Sequence, residues 1–191
     1  MNHVSIPSAD VLEQELKRER YKHRYRKTLW STVYALITVA AVAVLVATLW
    51  MPVLQIYGSS MSPTLEEGDI VISIKASDLQ QGDVVGFYYG NKLLVKRNIA
   101  GTGSWVDMDE SGVIYVDGVA LEEPYVDALS VGNADIEFPY QIPEEKYFLV
   151  GDHRSVSVDS RHSVVGSISK EYIVGKIVFR IWPLNRFGPV E

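Results

Sequence analysis

The chain has no cysteine among its 191 residues. Disulfide bonds and thiolate metal sites are therefore excluded, and a body outside the cell must be held together by its own core. A second absence is local: from Thr28 to Leu65 there is no Asp, Glu, Lys or Arg. A stretch of that length without charge is not a surface loop. Basic residues are also scarce beyond the N-terminus. Residues 1–28 carry seven Lys/Arg against four Asp/Glu, a balance of +3, whereas the remainder carries 11 against 20, a balance of −9. An acidic body argues against nucleic acid as a partner, because phosphate binding needs a basic field. No low-complexity region interrupts the body, and its roughly 135 residues suffice for an independent core.

The charge-free run itself is the first positive signal. Leu29 to Met51 is 23 residues of apolar and small side chains, and about 20 span a bilayer core as a helix. Trp30 and Trp50 lie near its ends, where interfacial aromatics gather, and Pro52 marks the exit. A secretory signal has an apolar core of about 7–15 residues, which this run exceeds, and the cleavage-like Ala41-Val42-Ala43 lies inside it. The basic cluster from Lys17 to Lys27 keeps the N-terminus cytoplasmic and places the body outside. The expected organisation is a cytoplasmic basic segment over 1–28, a transmembrane anchor over 29–51 and an extracytoplasmic domain over 52–191. The segment before the anchor is expected to include a short polar helix, supported by Glu13/Lys17 and Glu15/Arg18 spacings, with its basic end against acidic membrane lipid.

After Gly58 the pattern changes to short runs rich in Val, Ile, Tyr and Phe. Residues 69–74, 83–89 and 92–99 read as strands, with Gly68-Asp69, Gly82-Asp83 and Gly90-Asn91 as turns. Residues 104–108 and 113–116 flank Asp109-Glu110-Ser111-Gly112 as a hairpin, and Asp117-Gly118 offers another turn. Residues 146–150 and 172–182 are further strands. The fold class is mainly β: an N-terminal transmembrane helix followed by an antiparallel β-sheet domain, with a smaller inserted β subdomain over about 101–142.

Three segments carry groups suited to chemistry. Gly58-Ser59-Ser60-Met61-Ser62-Pro63 has, by composition alone, the look of a linker. Lys96 stands within an apolar run, where burial lowers an amine's pKa and makes it a general base. The commoner alternative is an edge lysine with its head in water. In a regular strand Leu94, Lys96 and Asn98 share one face, and Val95 and Arg97 the other. The stretch from Gly151 to Arg161 is dense in polar groups between two core strands. Asp152, Asp159, Arg97 and Arg161 form either a buried network there or surface ion pairs of little weight.

These segments, in this order behind one N-terminal anchor, resemble the type I signal peptidase family. The motifs are SMSPTL over 60–65, GDVVGF over 82–87, VKR over 95–97 and GDHRSVSVDSR over 151–161. Val116-Asp117-Gly118 with the later Glu123-Pro124-Tyr125 resembles the family's middle region. A single anchor, a short body and the lack of cysteine resemble the Gram-positive members. The resemblance implies a serine endopeptidase with Ser60 as nucleophile and Lys96 as general base, acting on the signal-peptide region of secretory preproteins without a cofactor or metal. It assigns Ser157 to orienting the lysine, and Asp159, Arg161, Arg97 and Asp152 to a supporting polar network. Leu54, Ile56, Met61 and Val95 match positions that line shallow pockets for small substrate side chains.

The sequence departs from the family's pattern at three places. Gly58 stands where some relatives place a hydroxyl for the oxyanion, which leaves a backbone group or water for that task. His153 follows Gly151-Asp152 in place of an asparagine. Gly101-Thr102-Gly103-Ser104 replaces a Gly-x-Pro-Gly-Asp pattern. Competing readings are a Ser-His-Asp triad using His153 or His162, a His/Asp metal site, and a non-enzymatic assembly factor for surface proteins.

Overall fold

The structure is a computed structural model that describes residues 9–75 and 78–190. Residues 1–8 of the expected cytoplasmic segment and the Trp50 side chain lie outside the described parts. The chain forms two compact units, one ending at Ala47 and the other beginning at Thr48.

The first unit is helical. Helix α1 runs over Ala9–Trp50, 42 residues without glycine or proline. Two separate features were expected here, a short polar helix and an anchor. They are one continuous helix because nothing between Lys27 and Leu29 breaks it, and Pro52 removes the donor that would extend it. Near its start Lys17 pairs with Glu13 at 3.2 Å and Lys22 with Glu19 at 2.8 Å. Glu15 and Arg18 form no ion pair among the described residues. Within the charge-free part Thr32 and Thr38 donate their hydroxyls to the carbonyls of Thr28 and Tyr34, so neither hydroxyl is left bare among apolar side chains. Leu36, Val39 and Val44 are all exposed. An apolar surface on every side of a helix suits a lipid solvent.

The second unit is built from twelve short strands: β1 (Val53–Gln55), β2 (Ile70–Ile74), β3 (Val84–Tyr89), β4 (Lys92–Ala100), β5 (Trp105–Met108), β6 (Ile114–Val116), β7 (Val119–Ala120), β8 (Tyr140–Gln141), β9 (Lys146–Val150), β10 (Ile168–Ser169), β11 (Ile173–Trp182) and β12 (Gly188–Pro189). They form an eight-stranded sheet in the order β1-β2-β11-β3-β4-β9-β10, with β12 on β11, and a four-stranded sheet in the order β7-β6-β5-β8. All pairings are antiparallel. The turn at Asp117-Gly118 has positive φ at both residues, 52° and 81°, the geometry that joins β6 tightly to β7.

The smaller sheet lies between β4 and β9 in the chain, but it has no core to itself. Val106 and Ile114 from that sheet pack with Ile99 and Ala100 of β4 and with Phe148 and Val150 of β9. Two further clusters flank β4. Ile56, Met61, Leu65, Val71, Val84 and Ile177 form one, with Val95 against it; Val85, Phe87, Leu149 and Ile168 form the other, with Leu94 against it. Successive residues of β4 therefore feed different clusters, as strand alternation requires.

Strand β4 also positions the site. It pairs with β3 through Lys92–Arg97 but with β9 only from Arg97 onward. The stretch Leu93–Lys96 thus has one ladder edge without a strand partner among the described residues.

Candidate active site

The segment with the composition of a linker is not one. Ile56, Met61 and Leu65 are buried to within a few percent, and they tie the whole turn to the core. The backbone is closed by hydrogen bonds from Ser62 N to the Ser59 carbonyl at 3.1 Å and from Leu65 N to the Met61 carbonyl at 2.9 Å. The hydroxyls fall between the buried residues and stay near the surface. The signal that separates this turn from a linker is the spaced apolar residues, not its serines.

Lys96 is 4% exposed, and its Nζ donates to Ser60 Oγ at 2.6 Å. Burial pushes the amine down from its ordinary value to about 8; the Asp159 carboxylate opposes that fall, Arg161 reinforces it and Asp152 opposes it. The edge-lysine alternative does not hold, because the head is out of water. A lysine at about 8 has a useful neutral fraction near neutral pH.

Behind the pair lies a buried polar network. Arg97 grips Asp152 with two parallel bonds, Nε to Oδ1 at 2.9 Å and an amino group to Oδ2 at 2.7 Å, and Thr64 donates to the same carboxylate. Arg161 grips Asp159 in the same way, at 2.9 Å for both contacts. Burial works to raise the Asp159 carboxyl, but the bonds from Arg161 and from the Gly151 N–H hold it below its ordinary range. These residues are not a surface salt-bridge loop.

Ser157 is buried, and its Oγ meets no partner at full hydrogen-bond geometry among the described residues, although its hydroxyl helps to hold the Asp159 carboxyl below its ordinary range. The expected bond from Ser157 to Lys96 is therefore absent from this geometry; the amine's bond goes to Ser60. Ser157 Oγ instead lies against Gly151. A Cβ at Gly151 would collide with that hydroxyl and would lie 2.5 Å from the Ser60 carbonyl oxygen and 2.6 Å from Ser157 Cβ. Gly151→Ala is thus expected to force the Ser60 turn away from β9. The measurement is Tm alongside the activity of the purified protein. A variant with unchanged activity and Tm would show that this contact yields without consequence.

Ile56, Met61 and Val95 line a cleft together with Ser60 and Lys96. Leu54 does not line it; its Cδ1 would lie 3.2 Å from a Cβ at Gly86, so it forms the packing beneath. Gln55, Tyr57, Gly58, Leu93 and Leu94 complete the lining. Gly58 has φ +79° and open space around it.

Residues 29–182 match the family described as signal peptidase, peptidase S26. The chain belongs to that family. It is 35% identical to signal peptidase IB of Staphylococcus aureus (strain N315) over 153 residues, covering 69% of this chain and 78% of that protein. It is 31% identical to signal peptidase I of Bacillus amyloliquefaciens over 186 residues, covering 91% of this chain and 95% of that protein. A crystal structure of a signal peptidase I from Enterococcus faecalis V583 is similar at 23% identity and a TM-score of 0.43, covering 53% of this chain and 98% of that one.

In this signal peptidase family member neither histidine near the site engages Ser60 Oγ. His153 Nδ1 is 3.3 Å from the Ser59 carbonyl oxygen, and His162 faces Asp135 at 3.6 Å. Sequence reasoning missed Arg154, which is buried and paired with Glu123, and Tyr125, whose ring lies 3.7 Å from the Arg97 guanidinium. Glu123-Pro124-Tyr125 is visible as a motif, but its partners lie about 30 residues away in sequence, where no local pattern points to them.

Proposed function

We propose that this chain is a membrane-anchored serine endopeptidase that removes signal peptides from exported preproteins, with Ser60 as nucleophile and Lys96 as general base. The observation that carries the reading is the 2.6 Å contact between a buried amine and Ser60 Oγ. A hydroxyl is a weak nucleophile until a base takes its proton. Neutral Lys96 accepts that proton as Ser60 attacks the scissile carbonyl. It returns the proton to the departing amine, which leaves as the new N-terminus. A water then gives a proton to Lys96 and attacks the acyl ester. Ser60 recovers its hydrogen, and the signal peptide leaves as a carboxylate.

The oxyanion of each tetrahedral intermediate needs donors already in place. The backbone N–H groups of Ser60 and Gly58 donate to no other group among the described residues, and both residues line the cleft. They are the donors we assign, in place of a side-chain hydroxyl. An extended substrate would lie along the open edge of Leu93–Lys96 and bond to it as an added strand. Ile56, Met61 and Val95 leave a shallow floor, which favours small side chains before the cut. Ser157, Asp159, Arg161, Arg97 and Asp152 support the site without touching the reacting atoms. The apolar part of α1 would hold the 52–191 domain at the outer membrane face, with the basic segment over 1–28 in the cytoplasm.

Only the neutral amine serves as base, so protonation of Lys96 shuts the reaction off. For purified enzyme on a preprotein, kcat/KM is expected to fall about tenfold per pH unit well below the lysine's value. It levels off above about 8. A flat profile from pH 6 to 9 would remove Lys96 from its role.

A further inference from the structure

A second cavity lies beside the nucleophile. Ser60 and Met61 line the cleft with Lys96, whereas Ser62 lines a separate cavity of about 270 Å³ with Asp127, Leu129 and His153. The strip from Ser59 to Ser62 is therefore a ridge with a depression on each flank. One wall of the second cavity is fastened to that ridge. The His153 backbone N–H donates to the Ser60 carbonyl at 3.1 Å, and its ring approaches the Ser59 carbonyl.

The facing wall is held as firmly. It is the middle of the segment 123–131, and arginines of the polar network clamp both of its ends. At one end Glu123 pairs with Arg154, and Tyr125 stacks on Arg97. At the other, Arg161 donates to the Ser130 and Val131 carbonyls at 3.0 and 3.2 Å. Between the clamps Asp127 and Leu129 stand exposed. A wall fixed in this way needs little ordering when something binds.

The lining selects the occupant. The cavity is smaller than the roughly 300–1,000 Å³ typical of small-molecule pockets, so it suits one or two side chains. Asp152 also faces it, but Arg97 neutralises that carboxylate. Asp127 makes no ion pair among the described residues, and His153 is the other titratable group of the lining. A free carboxylate beside an exposed leucine complements an aliphatic stem with a cationic head.

We infer that this cavity receives the residues just after the scissile bond and prefers Lys or Arg among the first three, with Asp127 and Leu129 determining that preference. The inference rests on Ser60 being the nucleophile, since the two depressions then flank the bond that is cut. The test is competition between preprotein reporters carrying Lys, Gln or Glu at each of those positions, cut by the full-length enzyme in detergent. The wild type is expected to favour Lys over Glu by about three- to fivefold at one of them, the size of an exposed charge contact. Asp127→Asn should bring that ratio close to one, and Asp127→Lys should invert it. A ratio within one reaction does not depend on how much variant is folded. Equal rates for Lys and Glu at all three positions, or an unchanged ratio in Asp127→Asn, would overturn the inference and leave Ser60 in place. A wild type that cuts none of the reporters would overturn both.

Discussion

Replacing Ser60 by alanine or Lys96 by methionine is expected to lower preprotein cleavage by at least about 10²–10⁴-fold, the range for a group that moves the reacting proton. If the two act as one unit, as proposed, the double variant should be scarcely worse than either single one. Stability separates them. The fall of the Lys96 amine from 10.5 to about 8 means that the folded state holds its proton less tightly than the unfolded chain. The unfolded state therefore binds more protons between those values, and wild-type stability rises with pH across that window. Below about 8 the full burden of the buried ammonium remains. Lys96→Met removes it, so at pH 7 the variant should be more stable by about 1–3 kcal/mol, a gain that shrinks as pH rises toward 10.5. Ser60→Ala retains the buried lysine and should show no comparable gain. Two inactive variants, one of them more stable than the wild type, are hard to explain by misfolding. A Lys96→Met variant that loses stability at pH 7 would show that its contacts outweigh its burial.

The site is only partly legible in the sequence. A lysine in an apolar run is visible, and strand alternation puts Leu94 and Val95 in different clusters, as they are found. The longer strands were equally plain, since β2, β3, β4, β9 and β11 each carry enough apolar residues to show a pattern. Strands β1, β7, β8, β10 and β12 have two or three residues, too few for a period, and their pairing is set by neighbours far along the chain. The Ser60 turn misleads by its composition. Its serines and proline look like a linker, while three apolar residues at wider spacing fix it in the core. Ser157 was assigned through resemblance, and its burial against Gly151 and beside Asp159 is a feature that no local pattern could supply. The clamps on segment 123–131 were invisible for the same reason. They depend on arginines that face inward, and sequence alone reads Arg as a surface residue.

Those inward arginines set the second large effect. Arg97 and Asp152 are each 1% exposed. Arg97 also donates to the Gly82 carbonyl at 2.7 Å and lies against Tyr125, so it cannot turn toward water without undoing several contacts. Asp152→Ala would take from that buried guanidinium the carboxylate it grips with two bonds, and the expected loss is about 3–5 kcal/mol. For a unit of this size the loss appears as a Tm lower by roughly 10 °C or more. Asp152→Asn keeps the shape and one acceptor, and should fall between. Arg97→Met combined with Asp152→Leu removes both charges and should recover most of the loss, since an apolar pair of similar volume replaces an ion pair at little net change. A double variant as unstable as Asp152→Ala would mean that the pair is held for its hydrogen bonds and not its charges. The Asn variant carries a further readout. The Asp152 carboxylate favours the charged form of Lys96. Removing it must lower the amine further, so the pH limb of cleavage should move to lower pH even as Tm falls. A merely structural role for Asp152 predicts the Tm change with the limb unmoved.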